Sequence, residues 1–155
     1  MTNSDFAFLA GEWDSVQRRL RTILDNCDEW YEFPATLSCQ LALDGNATFD
    51  VLRSEEPKLE GITLRLYDAD EKAWRIWWAS STTGGKLDVP VVGTFVDGVG
   101  TFECDDTYRG QAVRVRYRWS ETDTDHPHWE QSFSEDGGDT WEINWVAMFT
   151  RRNGH

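Results

Sequence analysis

The sequence predicts an all-β protein, an antiparallel closed β-barrel of about nine or ten strands. Apolar and polar residues alternate with period two through much of the chain. Turn signals such as Asp97-Gly98 separate the alternating segments at short, even spacing. Nothing reads as a long helix, and a meander of this kind has to close or fold on itself to avoid bare edges. The length of 155 residues suits one domain, residues 1–155.

The elements follow in order along the chain. Residues 5–9 predict one short helical turn with Ser4 as its cap. A first long strand starts near Trp13, and in a later segment Arg114, Arg116 and Arg118 alternate with aliphatic and aromatic residues. The strand candidates after the first are ITLRLYD, WRIWWA, VGTFV, VGTFECD, AVRVRYRWS, WEQSF and WEINWVAMF.

Composition excludes several classes of function. The formal net charge is −13, which repels nucleic acid and anionic membrane surfaces, so we expect neither as a partner. Cysteine occurs three times without a CxxC spacing, which predicts reduced thiols. Together with the absence of a basic, apolar leader, this predicts a cytoplasmic protein. His126, His128 and His155 show no ligand spacing, so we predict no metal and no cofactor.

The stretch SEDGGDTW, residues 134–141, resembles the Asp-box hairpin of sialidase propellers. It occurs once, and the chain is too short for several blades, so a propeller is excluded. Its residues suit a structural hairpin. Asp136 can accept backbone hydrogen bonds, Gly138 allows positive φ, and Trp141 can bury its ring as the next strand begins.

Gly11-Glu12-Trp13 near the amino terminus and Phe149-Thr150-Arg151-Arg152 near the carboxyl terminus form a second pattern. It resembles the lipocalin and wider calycin pattern, in which an early G-x-W tryptophan lies at the barrel base and a basic residue of the last strand packs across it. The resemblance implies that Trp13 is the plug and that Arg151, or Arg152, is the stacking cation.

The whole chain resembles a bacterial family of lipocalin-like proteins of unknown function. Segments that carry the likeness include FLAGEWD, YDADEKAWRIWWAS, PVVGTFVDGVGTFECDD and VRVRYRWS. The resemblance implies a single lipocalin-like barrel domain over residues 1–155. It implies no activity, and whether the protein is an enzyme stays open.

Candidate ligand-binding residues come from the strands. If Trp13 points inward, Gln17 and Arg19 share its face, so either a bulge switches the face or the cavity is polar. Arg116 belongs to a stripe that is either a solvated outer face or part of a polar lumen. Tyr67 and Trp77 are aromatic candidates for the pocket.

Glu130 and Asn144 complete the candidate set. In the register we prefer for the hairpin between WEQSF and WEINW, Phe133 lies opposite Trp141. This register would put Glu130 and Asn144 on one face.

The leading function is binding of a small, largely apolar or aromatic molecule in the barrel. One alternative is a cyclase or isomerase of specialised metabolism, with Arg116, Glu130 and Asn144 polarising its substrate. Another is a non-catalytic interaction module with a filled barrel. The expected partner is a small-molecule ligand, and a homodimer is one option for the assembly.

Overall fold

A computed structural model describes residues 2–152, which form a closed barrel of ten antiparallel strands. Each strand pairs with its neighbour in sequence, and β1 also pairs with β10. The predicted fold class is thereby confirmed. Of the three histidines named above, His155 lies outside the described residues. The strands are β1 (Gly11–Leu20), β2 (Trp30–Ala42), β3 (Ala47–Ser54), β4 (Leu59–Asp68), β5 (Ala73–Ser80), β6 (Val91–Val96), β7 (Val99–Tyr108), β8 (Gln111–Ser120), β9 (His128–Ser134) and β10 (Glu142–Arg151).

Helical structure in the described residues is confined to two short 3-10 helices, Ala7–Leu9 and Leu43–Gly45. The first lies within the segment where the sequence predicts a helical turn. Its N-cap is Phe6, without a side-chain capping bond, so the prediction that Ser4 caps it is wrong. Neither helix has the length or the apolar character needed to cross a membrane.

The connections divide between the two ends of the barrel. Because the strands run up and down in turn, the amino-terminal segment lies at the same end as the β2–β3, β4–β5, β6–β7 and β8–β9 connections. We call this end the base. The β1–β2, β3–β4, β5–β6, β7–β8 and β9–β10 connections lie at the other end, which we call the mouth.

Aromatic side chains seal the base. Phe6, in the segment before β1, is fully buried. Its ring packs edge-on against Trp74 at 4.8 Å and against Phe95 at 4.9 Å, and it stacks on Phe102 at 5.9 Å between ring centroids. The first residues of the chain therefore fold back under the barrel and close one end of it.

Trp13 and Arg151 extend this seal across the first and last strands. Trp13 is 1% exposed and its Nε1 donates to the carbonyl oxygen of Leu9 at 2.9 Å. The Arg151 guanidinium lies 4.1 Å from the centroid of the Trp13 ring. It also donates to the carbonyl oxygens of Ala10 at 2.6 Å and Phe8 at 2.9 Å. Arg151 thus joins the stacking contact to the loop that covers the base.

Gly11 is required by the same arrangement. Its φ is +114°, where a side chain is strained, and a Cβ there would lie 2.7 Å from Nη1 of Arg151. Arg152, the alternative cation, instead pairs with Asp14 at 2.9 Å on the exposed surface. The glycine of the G-x-W pattern therefore makes room for the arginine that covers its tryptophan.

The SEDGGDTW stretch forms the β9–β10 hairpin at the mouth. The Asp136 carboxylate accepts hydrogen bonds from the backbone N–H of Thr140 at 2.8 Å, from its hydroxyl at 2.6 Å and from the Ser134 hydroxyl at 2.8 Å. Gly138 donates to the Ser134 oxygen at 2.9 Å, and Trp141 Nε1 donates to the Gly138 carbonyl at 3.1 Å. The hydrogen bonds from Thr140 and then Ser134 lower the pKa of Asp136 to about 2.

The register beyond this hairpin differs from the preferred one. Phe133 lies opposite Glu142, not opposite Trp141. The register then shifts before Trp145, so Asn144 is the extra residue of a β-bulge. A bulge of this kind cannot be read from period-two alternation, because it changes the alternation itself.

We predict that Trp13→Ala lowers the free energy of unfolding by about 3–5 kcal/mol, because a buried large aromatic is lost and leaves a cavity. Urea denaturation followed by circular dichroism measures this. Trp77→Ala, at a half-buried tryptophan of the outer face, is the control and should cost less. A loss below about 1 kcal/mol for Trp13→Ala would show that this ring does not support the base.

We predict that the pKa of Asp136 by NMR titration is about 2, below the usual 3.8. A carboxyl with a lowered folded pKa adds stability above its unfolded pKa, and this contribution disappears as the pH falls from about 4 towards 2. Thr140→Val should raise the pKa because it removes the hydroxyl donor. Thr140→Ser keeps that donor and should leave the pKa low, so equal values in the two variants would contradict this account.

Candidate functional site

A cavity of 260 Å³ lies inside the barrel between the sealed base and the mouth. Its volume is close to the lower end of the roughly 300–1,000 Å³ typical of small-molecule sites. Most of its wall is apolar or aromatic, and polar side chains enter it at a few places. The aromatic residues of the wall are Trp78, Tyr108, Tyr117, Trp119, Trp129, Phe133, Trp145 and Phe149.

Trp145 is the centre of the aromatic wall. Its ring meets Trp78 edge-on at 5.8 Å and Trp129 edge-on at 5.4 Å, and Trp129 meets Tyr117 at 5.2 Å. These edge-to-face pairs hold the rings in fixed relative orientations. Gly61 on β4 provides the space for Trp78, since a Cβ there would lie 2.0 Å from the indole. The wall is therefore preformed.

Gln17 fixes the position of Trp145. Trp145 Nε1 donates to Gln17 Oε1 at 2.7 Å, Gln17 Nε2 donates to the Ser15 hydroxyl at 2.7 Å, and that hydroxyl donates to the Met148 carbonyl at 2.9 Å. β1 pairs with β2 without a register shift, so its polar residues do face inward. Of the two explanations left open by the sequence, the bulge in β1 is absent, and the inward polar groups are hydrogen-bonded.

Arg19 is the next inward residue of β1 and lines the cavity. It is half-buried, and its guanidinium lies 4.2 Å from the centroid of the Trp145 ring. Among residues 2–152 no carboxylate oxygen comes within 4.0 Å of it. Arg21, two residues further on, is exposed and pairs with Glu29 at 3.6 Å. Arg19 is therefore the unpaired cation of the cavity wall in this part of the chain.

The wall contains a buried ion pair that was not predicted from the sequence. Arg65 Nη1 donates to Asp50 Oδ2 at 2.7 Å and to the Thr48 hydroxyl at 3.0 Å, and the two charged side chains are 5% and 2% exposed. The guanidinium also lies 5.0 Å from the Phe6 ring of the base. Its Nε is buried without a partner among the described residues. Arg65 shares the inner face of β4 with Thr63, whereas the apolar Ile62 and Leu64 of the same strand are exposed.

Asp88, in the β5–β6 connection, also lines the cavity. Burial raises its pKa, and the nearby Asp106 raises it further. No cationic nitrogen of the described residues lies within 4.0 Å of its carboxylate. Burial also raises the pKa of Cys39 and Cys104 to about 12, so both thiols stay protonated at neutral pH and are poor nucleophiles.

A loop partly covers the mouth. In the β1–β2 connection Ile23 lines the cavity, and the backbone N–H of Leu24 donates to Glu142 at 2.8 Å. Asp25 pairs with Arg109 of the β7–β8 connection at 3.3 Å. The loop is thereby attached to the start of β10 and to the β7–β8 connection at the rim of the cavity.

Three predicted ligand-binding residues lie on the outer face. Arg116 is placed 4.0 Å over the ring of Trp141, outside the barrel, so the polar-lumen placement is wrong for it. Glu130 pairs with Arg118 at 3.6 Å, also outside. Trp77 lies opposite the exposed Leu64. The reason is the pleat, because their sequence neighbours occupy the inner face.

Two further candidates lie inside but off the wall. Tyr67 packs on Trp74 at 5.4 Å in the aromatic base. Asn144, in the bulge of β10, is 1% exposed and accepts a hydrogen bond from the wall residue Gln131 at 2.9 Å. The bulge separates Asn144 from the outer face on which Glu130 lies, so the shared face expected for them is not found.

The histidines of residues 2–152 do not belong to a group of side chains that could bind a metal ion. Residues 2–152 contain no group of three His, Cys, Asp or Glu side chains that could hold an ion. His128 lies 4.0 Å from Glu130, and His126 lies 3.4 Å from the Thr150 hydroxyl.

A closed antiparallel barrel with an internal cavity that opens at one end is a lipocalin-like architecture. An S-type phycobiliprotein lyase from Guillardia theta has a similar structure, with a TM-score of 0.60 and 12% sequence identity. The match covers 97% of this chain and 92% of the lyase. At this sequence identity the similarity shows that the two proteins share a fold and nothing further. No family model and no curated protein sequence matches the chain.

We predict that Asp50→Leu lowers the free energy of unfolding by about 3–5 kcal/mol, because it leaves Arg65 buried and unpaired. Adding Arg65→Met should recover part of the loss, since both charges are then gone. Glu60→Leu breaks an exposed pair with Arg53 and should cost under about 1 kcal/mol. Urea denaturation of these three variants and of Arg65→Met alone measures this, and losses of the two single variants that simply add in the double variant would contradict the coupling.

Proposed function

We propose that the protein binds a small, largely apolar or aromatic molecule inside the barrel. The observation that supports this is the 260 Å³ cavity, whose wall is mostly apolar or aromatic with polar side chains among it. Preformed, mostly apolar cavities with a few placed polar groups are typical of ligand sites. A cavity of this size also argues against the alternative of a filled barrel that serves only as an interaction module.

Within this proposal Arg19 is the ligand-contacting residue among those predicted from the sequence, and Gln17 acts by holding Trp145. Both line the cavity. Asn144 acts through Gln131, which it orients by accepting its hydrogen bond. Arg116, Glu130 and Trp77 are not part of the proposed site because they lie outside the barrel.

An enzyme acting in the same cavity is the second candidate, and Asp88 is the observation that favours it. A carboxyl that lines a cavity and has a raised pKa is the kind of group that serves as a general acid or base. The cyclase or isomerase pictured from the sequence relied on Arg116 and Glu130, which the barrel places outside. A catalytic version would therefore depend on Asp88, with the aromatic wall shaping the substrate.

Several properties expected from the sequence stay predictions. They are membership of a bacterial lipocalin-like family, a cytoplasmic location and a homodimer, together with the absence of a cofactor, a nucleic-acid partner or a membrane partner.

Binding is tested with a library of small apolar and aromatic compounds, read by quenching of tryptophan fluorescence and by the melting temperature. Several tryptophans line the cavity, so a bound ring should change their emission. We expect hits with the native protein and their loss in Ala147→Phe, which fills the cavity. Val146→Phe places the same side chain one residue away on the outer face and should keep them.

The proposal fails if no compound changes either signal. It also fails if Ala147→Phe, shown by circular dichroism to be folded, binds every hit as well as the native protein does.

A further inference from the structure

The arginines of this acidic protein are almost all paired with carboxylates. Within residues 2–152 the exceptions are Arg19, Arg116 and Arg151. Arg151 donates to two backbone carbonyls, and Arg116 covers Trp141 on the outer face. Arg19 alone among these three lines the cavity. Arg19 is therefore the arginine among these three that a ligand in the cavity could contact.

The guanidinium of Arg19 has no hydrogen-bond acceptor among the described residues. Its contact is with the face of Trp145, which attracts the cation but accepts none of its N–H groups in the plane. A guanidinium carries several N–H donors in a fixed planar fork that matches a carboxylate. The nitrogens of Arg19 are not among the buried atoms that lack a partner, so water reaches them, and a ligand carboxylate would replace that water with charge-assisted hydrogen bonds.

The orientation of Arg19 is set by its neighbours. Gln17 accepts a hydrogen bond from Trp145 Nε1 at 2.7 Å and so fixes the indole on which Arg19 lies. Trp78 and Trp129 hold the same indole from its edges. The cation and the aromatic wall are thus adjacent parts of one preformed surface.

The other charges of the wall agree with a role for Arg19. Arg65 and Asp50 neutralise each other at 2.7 Å. Asp88 lies in the exposed β5–β6 connection at the mouth, where solvent screens its charge. An aromatic wall alone would also suit an organic cation, but Arg19 disfavours one by repulsion.

We propose that the ligand is an aromatic or conjugated acid, whose carboxylate binds Arg19 while its planar body packs on Trp78, Trp129 and Trp145. This inference rests on the proposed function and adds the chemical class of the ligand. Arg19 is the specificity-determining residue of the site, and Gln17 is a positioning residue that acts through Trp145.

The test compares ring carboxylates with their primary amides, which have nearly the same shape and no charge. Benzoate, 2-naphthoate and indole-3-carboxylate, each with its amide, are titrated into the full-length protein by isothermal calorimetry. We expect at least one acid to bind about tenfold or more tighter than its amide, as for a hydrogen-bonded charge pair. Added salt should weaken binding of the acid more than that of the amide.

The variants assign the preference to one side chain. Arg19→Gln should reduce the preference for the acid to near unity and leave amide affinity within about threefold, whereas Arg19→Lys should keep part of it. Arg21→Gln removes a nearby arginine that is exposed and paired with Glu29, and should change neither affinity. Melting temperatures confirm that each variant is folded.

The outcomes separate the two levels of the proposal. If acids and amides bind equally, or if Arg19→Gln keeps the preference, the assignment of the ligand class is overturned and cavity binding stands. If neither series binds and the wider library gives no hit, both the inference and the proposed function are overturned.

Discussion

The aromatic seal at the base is the interaction on which the rest of the structure depends. The strands of a closed barrel pair all the way round, but the two ends of the cylinder stay open unless other residues cover them. Here Phe6 enters from below and Trp13 closes the space beside it, covered in turn by Arg151. Because the base is closed by packed rings, the remaining space is a cavity above them. The ion pair of Asp50 and Arg65 can therefore sit in the wall, under cover and away from bulk water.

Much of the architecture was predictable because it follows from local chemistry. Period-two alternation and glycine turns predict antiparallel strands, and the spacing of the turns leads to about the right number of strands. The inner face of a strand is harder to predict. In β4 the apolar Ile62 and Leu64 point outward, 39% and 38% exposed, while Thr63 and Arg65 point inward. Alternation defines two faces but leaves open which one is inside, and hydrophobicity selects the wrong one here.

Residues of the candidate site could be predicted on a strand where one residue of known direction determines which face points into the barrel. Once Trp13 is taken to point inward, Gln17 and Arg19 must follow it along an unbroken strand, and both line the cavity. Glu130 and Asn144 had no such anchor. Their relation depended on the register across a hairpin, and one extra residue in β10 changes it. Long-range pairing of this kind is invisible in a single sequence, because every local signal is the same in either register.

Gly61 shows how a residue that does not line the cavity can set its shape. The Trp78 indole occupies the space that a side chain at position 61 would fill, since a Cβ there would lie only 2.0 Å from the ring. Any larger residue there would push the indole towards the interior of the barrel. The depth available to a ligand is thus determined from the neighbouring strand, so relatives or designed variants could change their ligand size without altering a single contact residue.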